Sequence, residues 1–112
     1  MEHKAIIGTA AVILRERQEQ YGDMTDVVRR ACDIYRLITG KSMSEYEANI
    51  FMHSLKLARI RTSPNKPDHY VDGINYLAFA GEFATNEEPH ERTVEESIGD
   101  MFRDFKPEDT GQ

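Results

Sequence analysis

The 112-residue sequence has one cysteine and no apolar run approaching the roughly 18 residues that a membrane-spanning helix needs. A single thiol, Cys32, excludes an internal disulfide and fits a reducing compartment. Because Cys32 lies inside a helical pattern, we predict a buried and unreactive thiol. The apolar stretch near the start lacks a convincing cleavage region, so no secretory signal is expected. The expected location is the cytoplasm, with no membrane association.

Several sequence signatures of enzymes and binding modules are also missing. The chain shows no strand-like alternation of apolar and polar residues and no internal repeat. It has no glycine-rich phosphate loop, no Cys/His spacing typical of zinc sites, and no defensible Ser/His/Asp or Cys/His arrangement. These absences favour an all-α fold and exclude the common nucleotide-binding loops and zinc modules.

The negative charge of the chain is concentrated at its C-terminal end. The net charge is −6, and residues 85–112 carry 3 Lys/Arg and 9 Asp/Glu, whereas residues 1–84 carry 11 of each. A phosphate backbone requires a basic surface, so we expect no non-specific binding of nucleic acid. The composition divides the chain into a helical core domain, 1–84, and an acidic segment, 85–112, that comprises a linker, a short helix and a disordered end.

Apolar residues recur at helical spacing in four stretches of the core domain, at about 4–20, 26–38, 45–61 and 67–84. This pattern predicts an all-α, four-helix bundle-like domain, followed by a short C-terminal amphipathic helix from Val94 to Phe105. A domain of this size buries only a modest core, so a homo-oligomer is expected. The third and fourth helices are predicted to bury Ile50, Phe51, Leu55, Leu57, Ala58, Tyr70, Val71, Ile74, Leu77, Ala78 and Gly81.

Local signals place the helix boundaries. Ser44 and Glu47 form a Ser-x-x-Glu capping box, in which each side chain satisfies a backbone amide at the helix start. Gly22 suits the end of the first helix, and Asp23 or Thr25 can cap the second. Pro67 suits the first position of the fourth helix, because proline lacks the N–H that would be unpaired there.

The third and fourth helices each carry a polar stripe, and the two stripes are opposite in sign. Spacings of three, four and seven residues place each set on one helical face. The first stripe is mostly basic and consists of Asn49, His53, Lys56 and Arg59. The second is mostly acidic and consists of Asp68, Asp72, Asn75 and Glu82. A tight turn between antiparallel helices can bring the stripes face to face, either as a ligand site or as a salt-bridged seam.

Each candidate residue has a functional and a structural interpretation. Asp68 and Asp72, one turn apart, can share Mg²⁺ or its waters; alternatively, Asp68 only complements the dipole at the helix start. Lys56 and Arg59 can hold phosphate oxygens, or they can pair with the two aspartates. His53 is either a ligand contact or a polar core residue.

The same residues resemble a family of small proteins that is widespread in bacteriophages and prophages. The resemblance covers residues 8–84 and rests on three segments: Arg17…Tyr21-Gly22-Asp23, Lys56-Leu57-Ala58-Arg59 and Pro67-Asp68-His69-Tyr70-Val71-Asp72-Gly73-Ile74-Asn75-Tyr76. More remotely, the Asp68-x-x-x-Asp72 helix is similar to the Glu-Glu-x-x-Asp helix of the MazG-type nucleotide pyrophosphohydrolases. That resemblance implies a MazG-like helical fold, a dimer or tetramer, and Mg²⁺-dependent hydrolysis of (d)NTPs in the host cytoplasm.

One departure from the MazG pattern bears on the chemistry. Those enzymes carry a Glu-x-x-Glu pair on the helix before the aspartate helix, whereas this chain has His53 and Lys56 on the corresponding face. Activating a water near neutral pH requires a metal or a base. Asp68 and Asp72 are therefore the predicted catalytic and metal-binding residues, and the predicted substrate-binding residues are Lys56, Arg59, His53, Tyr21 and Asn75.

Three functions are compatible with these observations. The first is a phage-encoded, Mg²⁺-dependent nucleotide pyrophosphohydrolase-like enzyme acting on the nucleotide pool. The second is a non-catalytic binder that sequesters a nucleotide, for example a cyclic signalling nucleotide. The third is an inhibitor or adaptor that binds a host protein through the acidic segment and its apolar face, formed by Val94, Ile98, Phe102 and Phe105.

Overall fold

The computed structural model describes residues 1–86 and 94–102, and this part of the chain is all-helical. Its helices are α1 (His3–Tyr21), α2 (Met24–Thr39), α3 (Glu45–Thr62), α4 (Pro67–Asn86) and α5 (Val94–Phe102). The predicted all-α class is confirmed. Of the predicted acidic segment, residues 87–93 and 103–112, including Phe105, lie outside the described residues.

The hairpin of α3 and α4 is the centre of the fold. These two helices make the most extensive contact in the described chain, and α1 lies against α4. Helix α2 touches both α1 and α3, and α5 lies against α2. The antiparallel hairpin and α1 therefore bring side chains from three helices to one place.

Helix α2 begins two residues earlier than predicted, and the cap explains the difference. The Asp23 carboxylate accepts a hydrogen bond of 2.9 Å from the Thr25 amide, so the first turn starts at Met24. Gly22 has a φ of 82°, which favours glycine, and its amide donates to the Gln18 carbonyl at the end of α1.

The two other predicted helix starts are confirmed. In the capping box of α3, the Ser44 hydroxyl accepts from the Glu47 amide at 3.0 Å, and the Glu47 carboxylate accepts from the Ser44 amide at 3.1 Å. Pro67 is the first residue of α4. The Tyr70 hydroxyl donates to the Pro64 carbonyl at 3.0 Å, which ties α4 to the turn that precedes it.

The fully buried core of the described chain is small. Its buried apolar residues are Ala10, Cys32, Val71 and Ala80. The predicted burial of Val71 and Cys32 is thus confirmed. Large apolar side chains that would normally fill a core are partly or mostly exposed, which is unusual for a chain whose helices carry clear apolar faces.

The predicted core is wrong for much of α3 and α4. Phe51 is 64% exposed and Leu57 is 53% exposed. On α4, the exposed residues predicted to be buried are Ile74, Leu77, Ala78 and Gly81. Helical periodicity identifies the apolar face of a helix but not what covers it. In a single chain, α1 and α2 are too few to cover every apolar face of the hairpin.

No helix within residues 1–86 and 94–102 combines the length and the apolarity that crossing a membrane requires.

Candidate functional site

Asp72 on α4 is held between two cations from two other helices. Its Oδ2 lies 3.0 Å from the Lys56 ammonium of α3, and its Oδ1 accepts a hydrogen bond of 3.3 Å from the Arg17 guanidinium of α1. These three residues, which we call the cation cluster, join the three helices that form the centre of the fold. The cluster carries a formal charge of +1.

The three side chains of the cation cluster differ in their exposure to solvent. The side chain of Lys56 is 12% exposed and that of Asp72 is 14% exposed, whereas Arg17 is 41% exposed. An ammonium this well buried requires a partner, because an unpaired charge removed from water is costly. Asp72 meets that requirement, and Arg17 extends the positive charge toward solvent.

Both Lys56 and Arg17 retain unused hydrogen-bond donors. An ammonium has three donors and a guanidinium has five. Within the described residues, Asp72 is the polar partner of each side chain, and neither has another. The cluster can therefore accept a further anion without breaking its internal contacts.

The pairing of Lys56 with Asp72 across the turn agrees with the seam interpretation of the two polar stripes. The participation of Arg17 was not expected from spacing, because helical periodicity cannot relate residues 55 positions apart. One signal did mark Arg17: it belongs to the same three-segment resemblance as Lys56 and Asp72. The structure brings a residue from each of those segments together.

Asp68 and Arg59 lie outside the cluster. Both residues are exposed, and neither makes an ion pair within the described residues. Asp68 occupies the first turn of α4, where a carboxylate is favoured by the helix dipole. Their assignments as a metal ligand and a phosphate contact stay predictions.

The donor set around Asp72 does not fit a Mg²⁺ site. Magnesium prefers carboxylate oxygens and water in octahedral geometry, but each Asp72 oxygen already faces a cation. No group of three or more His, Cys, Asp or Glu side chains that could hold a metal ion is formed by residues 1–86 and 94–102. The assignment of Asp72 as a catalytic and metal-binding residue therefore gains no support from the geometry.

His53 and Asn75 each make a specific contact with the backbone of another helix. Nδ1 of His53 lies 2.7 Å from the Gly73 carbonyl oxygen. The Asn75 amide donates to the Ala10 carbonyl at 3.0 Å and is buried, so it fastens α4 to α1. This contact gives Asn75 a structural role, and its predicted contact with a substrate stays a prediction.

An apolar cavity of about 200 Å³ lies beside the cation cluster, and Lys56 lines it. Its apolar walls come from Ile6 of α1, Leu57 and Ile60 of α3, and Ile74 of α4. Leu57 and Ile74, two of the residues predicted to be buried, thus line this cavity.

The polar lining of the cavity includes two imidazoles, His53 and His69. His69 Nδ1 is buried and has no hydrogen-bond partner in the described structure. Gly73 also lines the cavity, at the point where α3 and α4 lie close together. A methyl group at Gly73 would come within 3.6 Å of the Lys56 Cβ and 3.7 Å of the His53 Nδ1.

Two other sequence candidates lie away from this site. Tyr21, a predicted substrate contact, is exposed at the end of α1 and is not among the residues that line the cavity. Cys32 is buried in α2, and burial raises the pKa of its thiol to about 11. A thiol with so little thiolate is a poor nucleophile, in agreement with the sequence prediction.

Comparison with known proteins adds one finding. No curated protein and no solved structure matches the chain. One family model matches residues 5–84, a range that contains the cation cluster and every residue that lines the cavity. The chain belongs to the family described as a domain of unknown function, DUF6378.

Proposed function

We propose that this protein binds a nucleotide and that the cation cluster receives its phosphate groups. The observation that carries the proposal is that one carboxylate, Asp72, holds two cations with spare donors beside an apolar cavity. A nucleotide has the matching chemistry, since it joins a strongly anionic chain of phosphates to a flat ring whose faces can pack on apolar side chains.

The positive charge of the cation cluster favours phosphate groups over anions of lower charge. The cluster has a net charge of +1, and Lys56 is shielded from water, so its interaction with an anion is screened less than that of a surface lysine. Arginine can bind two phosphate oxygens with parallel donors, and lysine acts as a point charge. Asp72 positions both cations before the ligand arrives, which lowers the cost of ordering them.

Binding without hydrolysis is the form of this proposal that the donor set favours. Hydrolysis of a phosphoanhydride needs an activated water, and Asp72, the carboxylate nearest the phosphate position, is already neutralised by two cations. We therefore place the sequestration of a nucleotide ahead of pyrophosphohydrolase activity.

Calorimetric titration with ATP and with inorganic tripolyphosphate tests the phosphate contact. Both ligands are expected to bind the wild-type protein. Replacing the buried cation by Lys56→Met should weaken both by at least about tenfold, because it removes a charge-assisted contact. The matched control is Lys66→Met, which removes an exposed lysine from the α3–α4 turn, and it should bind like the wild type.

A second variant separates a loss of binding from a loss of folding. Arg17 is more exposed than Lys56, so Arg17→Gln should leave the circular dichroism spectrum intact and still weaken both ligands. If ATP and tripolyphosphate bind equally well to the wild type and to both cluster variants, the proposal is wrong.

Pyrophosphate release separates binding from hydrolysis. The protein is incubated with Mg²⁺ and a panel of (d)NTPs, and we expect no release above the rate without protein. Release that is abolished in the Asp68→Asn variant would overturn the non-catalytic form and favour the MazG-type hydrolase. Asp68 suits this purpose because it is exposed, and its replacement leaves the packing of the three helices unchanged.

The three-segment resemblance motivates two further proposals. The first is that the protein is encoded by a bacteriophage and acts in the cytoplasm of its host. The second is that the domain is a remote, MazG-like relative of the all-α pyrophosphohydrolases. In this setting, withholding a nucleotide from a host process would be the role of the protein.

We also propose that the protein forms a homo-oligomer, either a dimer or a tetramer. Ile34, Leu37 and Ile38 lie exposed on α2, and Ile38 is 78% exposed. Among the described residues, the buried apolar core consists of four residues, Ala10, Cys32, Val71 and Ala80. A second copy would cover apolar surface that a single chain leaves in water. Contact between a host protein and the acidic segment is an alternative proposal, for which α5 offers the exposed apolar side chains of Ile98 and Phe102.

A further inference from the structure

Helix α4 carries an apolar face that the described chain leaves uncovered. The residues of this face are Ile74, Leu77, Ala78 and Gly81, which share one side of the helix by their spacing, and all four are exposed. The segment 73–81 contains no Asp, Glu, Lys, Arg or His, so α4 is uncharged for about two and a half turns here. We call these four residues the apolar face of α4.

The cavity beside the cation cluster opens next to the apolar face of α4. The walls of the cavity are apolar almost throughout, and it is open to solvent. Ile74 belongs to both the cavity lining and the apolar face, and Leu57, another lining residue, is 53% exposed. Leu77, one turn further along α4, is 49% exposed and is not among the lining residues. One chain therefore presents an apolar recess and an exposed leucine side by side.

The packing of the described chain gives no reason for a glycine at position 81. Glycine inside a helix is less favourable than alanine. At Gly73 a methyl group would come within 3.6 Å of the Lys56 Cβ, so close packing of α3 and α4 accounts for that glycine. A methyl group at Gly81 would meet no atom within 4 Å. Close approach of a second chain would account for Gly81, because glycine leaves room for it.

The apolar face of α4 is complementary to itself about a two-fold axis. In an antiparallel pair of α4 helices, an axis passing between residues 75 and 76 sets Ile74 opposite the partner's Leu77. The same axis sets Tyr70, one turn before Ile74, opposite the partner's Gly81. Each pair is matched in size, since the exposed leucine meets the recess and the aromatic ring meets the residue without a side chain. An uncharged face also avoids setting like charges opposite each other, as a two-fold contact otherwise does.

We propose that the apolar face of α4 packs against the same face of a second copy, and that Leu77 of the partner subunit covers the mouth of the cavity at Ile74. The proposal rests on the homo-oligomer proposed above and names a contact that forms it. The candidate site is then built by two chains, because one supplies the cations and the other closes the cavity. The outer face of α2 is a separate surface, so a protein that uses both contacts is a tetramer rather than a dimer.

Gly81→Leu separates contact between copies from packing within one chain. The new side chain meets open space in one chain but meets the partner's Tyr70 in the pair. Self-association, measured by sedimentation over a concentration series, should weaken by at least about tenfold. The midpoint of thermal unfolding at a concentration where the protein is monomeric should not fall, because leucine favours the helix.

The matched control is Gly8→Leu. Gly8 is an exposed glycine inside α1, and a methyl group there would also meet no atom within 4 Å. Gly8→Leu therefore adds the same side chain to a helix without touching the apolar face of α4, and it should associate like the wild type.

Leu77→Glu tests the other pair of the contact. A carboxylate at this position would have to leave water when the copies meet, so association should again weaken by at least about tenfold. Leu77→Met keeps an apolar side chain of similar size and should associate like the wild type. Gly81→Leu combined with Ile38→Glu, which places a charge on the outer face of α2, should leave a monomer.

The outcomes separate this contact from the proposed function. A wild-type protein that stays monomeric would overturn the proposed oligomer and this contact together, and would leave the apolar face of α4 to a different partner. The titrations with ATP and tripolyphosphate would still decide the phosphate site. If the wild type associates and both Gly81→Leu and Leu77→Glu associate as tightly, the oligomer stands and α4 is not its interface. Equal weakening by Gly8→Leu and Gly81→Leu, or a lowered unfolding midpoint of the Gly81→Leu monomer, would also contradict the proposal.

Discussion

Helices α1, α3 and α4, which we call the three-helix unit, differ from α2 in that they alone supply the candidate site, although both parts leave apolar side chains such as Phe51 and Ile38 open to solvent. In the three-helix unit, buried or half-buried polar contacts join every pair of neighbours: Lys56 to Asp72, Asp72 to Arg17, and Asn75 to the Ala10 carbonyl. Helix α2 supplies none of these contacts, and its outer side presents Ile38 and its apolar neighbours to water. The difference indicates that one chain fixes the geometry of the candidate site, whereas the outer face of α2 is suited to contact a second copy.

The largest effect is expected at the centre of the three-helix unit. Asp72→Asn keeps the shape of the side chain but leaves the Lys56 ammonium without its counter-charge. Breaking a buried ion pair in this way should lower the free energy of unfolding by about 3 kcal/mol. The measurement is urea denaturation at a fixed protein concentration.

Lys56→Met provides the matched control for Asp72→Asn. Lys56→Met should lower the free energy of unfolding by less than Asp72→Asn does, because Asp72 still contacts Arg17. The double variant of Lys56 and Asp72 should be destabilised by less than the sum of the two single losses. If the two single variants lose equal free energies of unfolding and the double variant loses their sum, the ion pair does not stabilise the three-helix unit.

The alkylation rate of Cys32 tests whether the inner face of α2 stays packed against the rest of the chain in solution. Burial raises the pKa of its thiol to about 11 from an ordinary 9.0, so at pH 8 the thiolate fraction should be roughly a hundredfold lower than in the unfolded chain. Alkylation by iodoacetamide should be slowed at least by that factor, relative to the same protein in denaturant.

The raised pKa of Cys32 also fixes the sign of a pH effect. A thiol whose pKa is higher in the folded state favours folding fully below its unfolded value, and this contribution declines as pH rises from about 9 toward 11. Alkylation at the denatured rate near pH 8 would show that α2 detaches from the rest of the chain.

Ile38→Glu tests the outer face of α2. A carboxylate placed in an apolar interface must be desolvated, so self-association should weaken by at least about tenfold. Sedimentation over a concentration series measures it. The control is Gln18→Glu, which adds the same charge at an exposed position of α1. A wild-type protein that stays monomeric at high concentration would contradict the proposed oligomer, and the exposed face of α2 would then not be a self-association interface.

Local features of the fold could be predicted from the sequence because neighbouring residues determine them. The capping box of Ser44 and Glu47, the start of α4 at Pro67 and the burial of Cys32 were all predicted correctly. The start of α2 was missed by two residues, because the choice between Asp23 and Thr25 as the cap depends on backbone geometry.

Long-range features were predicted less well. The two polar stripes predicted that Lys56 and Asp72 could meet, but nothing in the spacing placed Arg17 beside them. Periodicity predicted burial of Phe51 and Leu57 because it reports only that a face is apolar. The cavity was not predicted, since it arises from the meeting of three helices whose mutual packing no local pattern encodes.

The smallest expected effect compares the caps of α3 and α2. Ser44→Ala and Asp23→Ala should each cost about 1 kcal/mol of helix stability, because each removes a side-chain acceptor for a backbone amide. The cap of α3 belongs to the three-helix unit, so Ser44→Ala should lower the protection of α1, α3 and α4 amides against hydrogen exchange. Asp23→Ala should lower protection mainly in α2 if that helix is the less firmly held part.

The Asp23 cap also depends on pH, and in the cap of α3 it is the Glu47 carboxylate rather than the Ser44 hydroxyl that titrates, with a pKa lowered by its hydrogen bonds to Ser44. Hydrogen bonds from the Thr25 hydroxyl and amide hold the pKa of Asp23 below its ordinary 3.8. A carboxyl with a lowered pKa contributes stability that is complete above its unfolded value and is lost as pH falls through the folded one. Exchange protection of α2 should therefore decrease below about pH 4 in the wild type and change less in Asp23→Ser, which keeps a cap that does not titrate. If Ser44→Ala and Asp23→Ala each lower exchange protection equally in α2 and in the three-helix unit, all four helices unfold together. Helix α2 is then held as firmly as the helices that form the site.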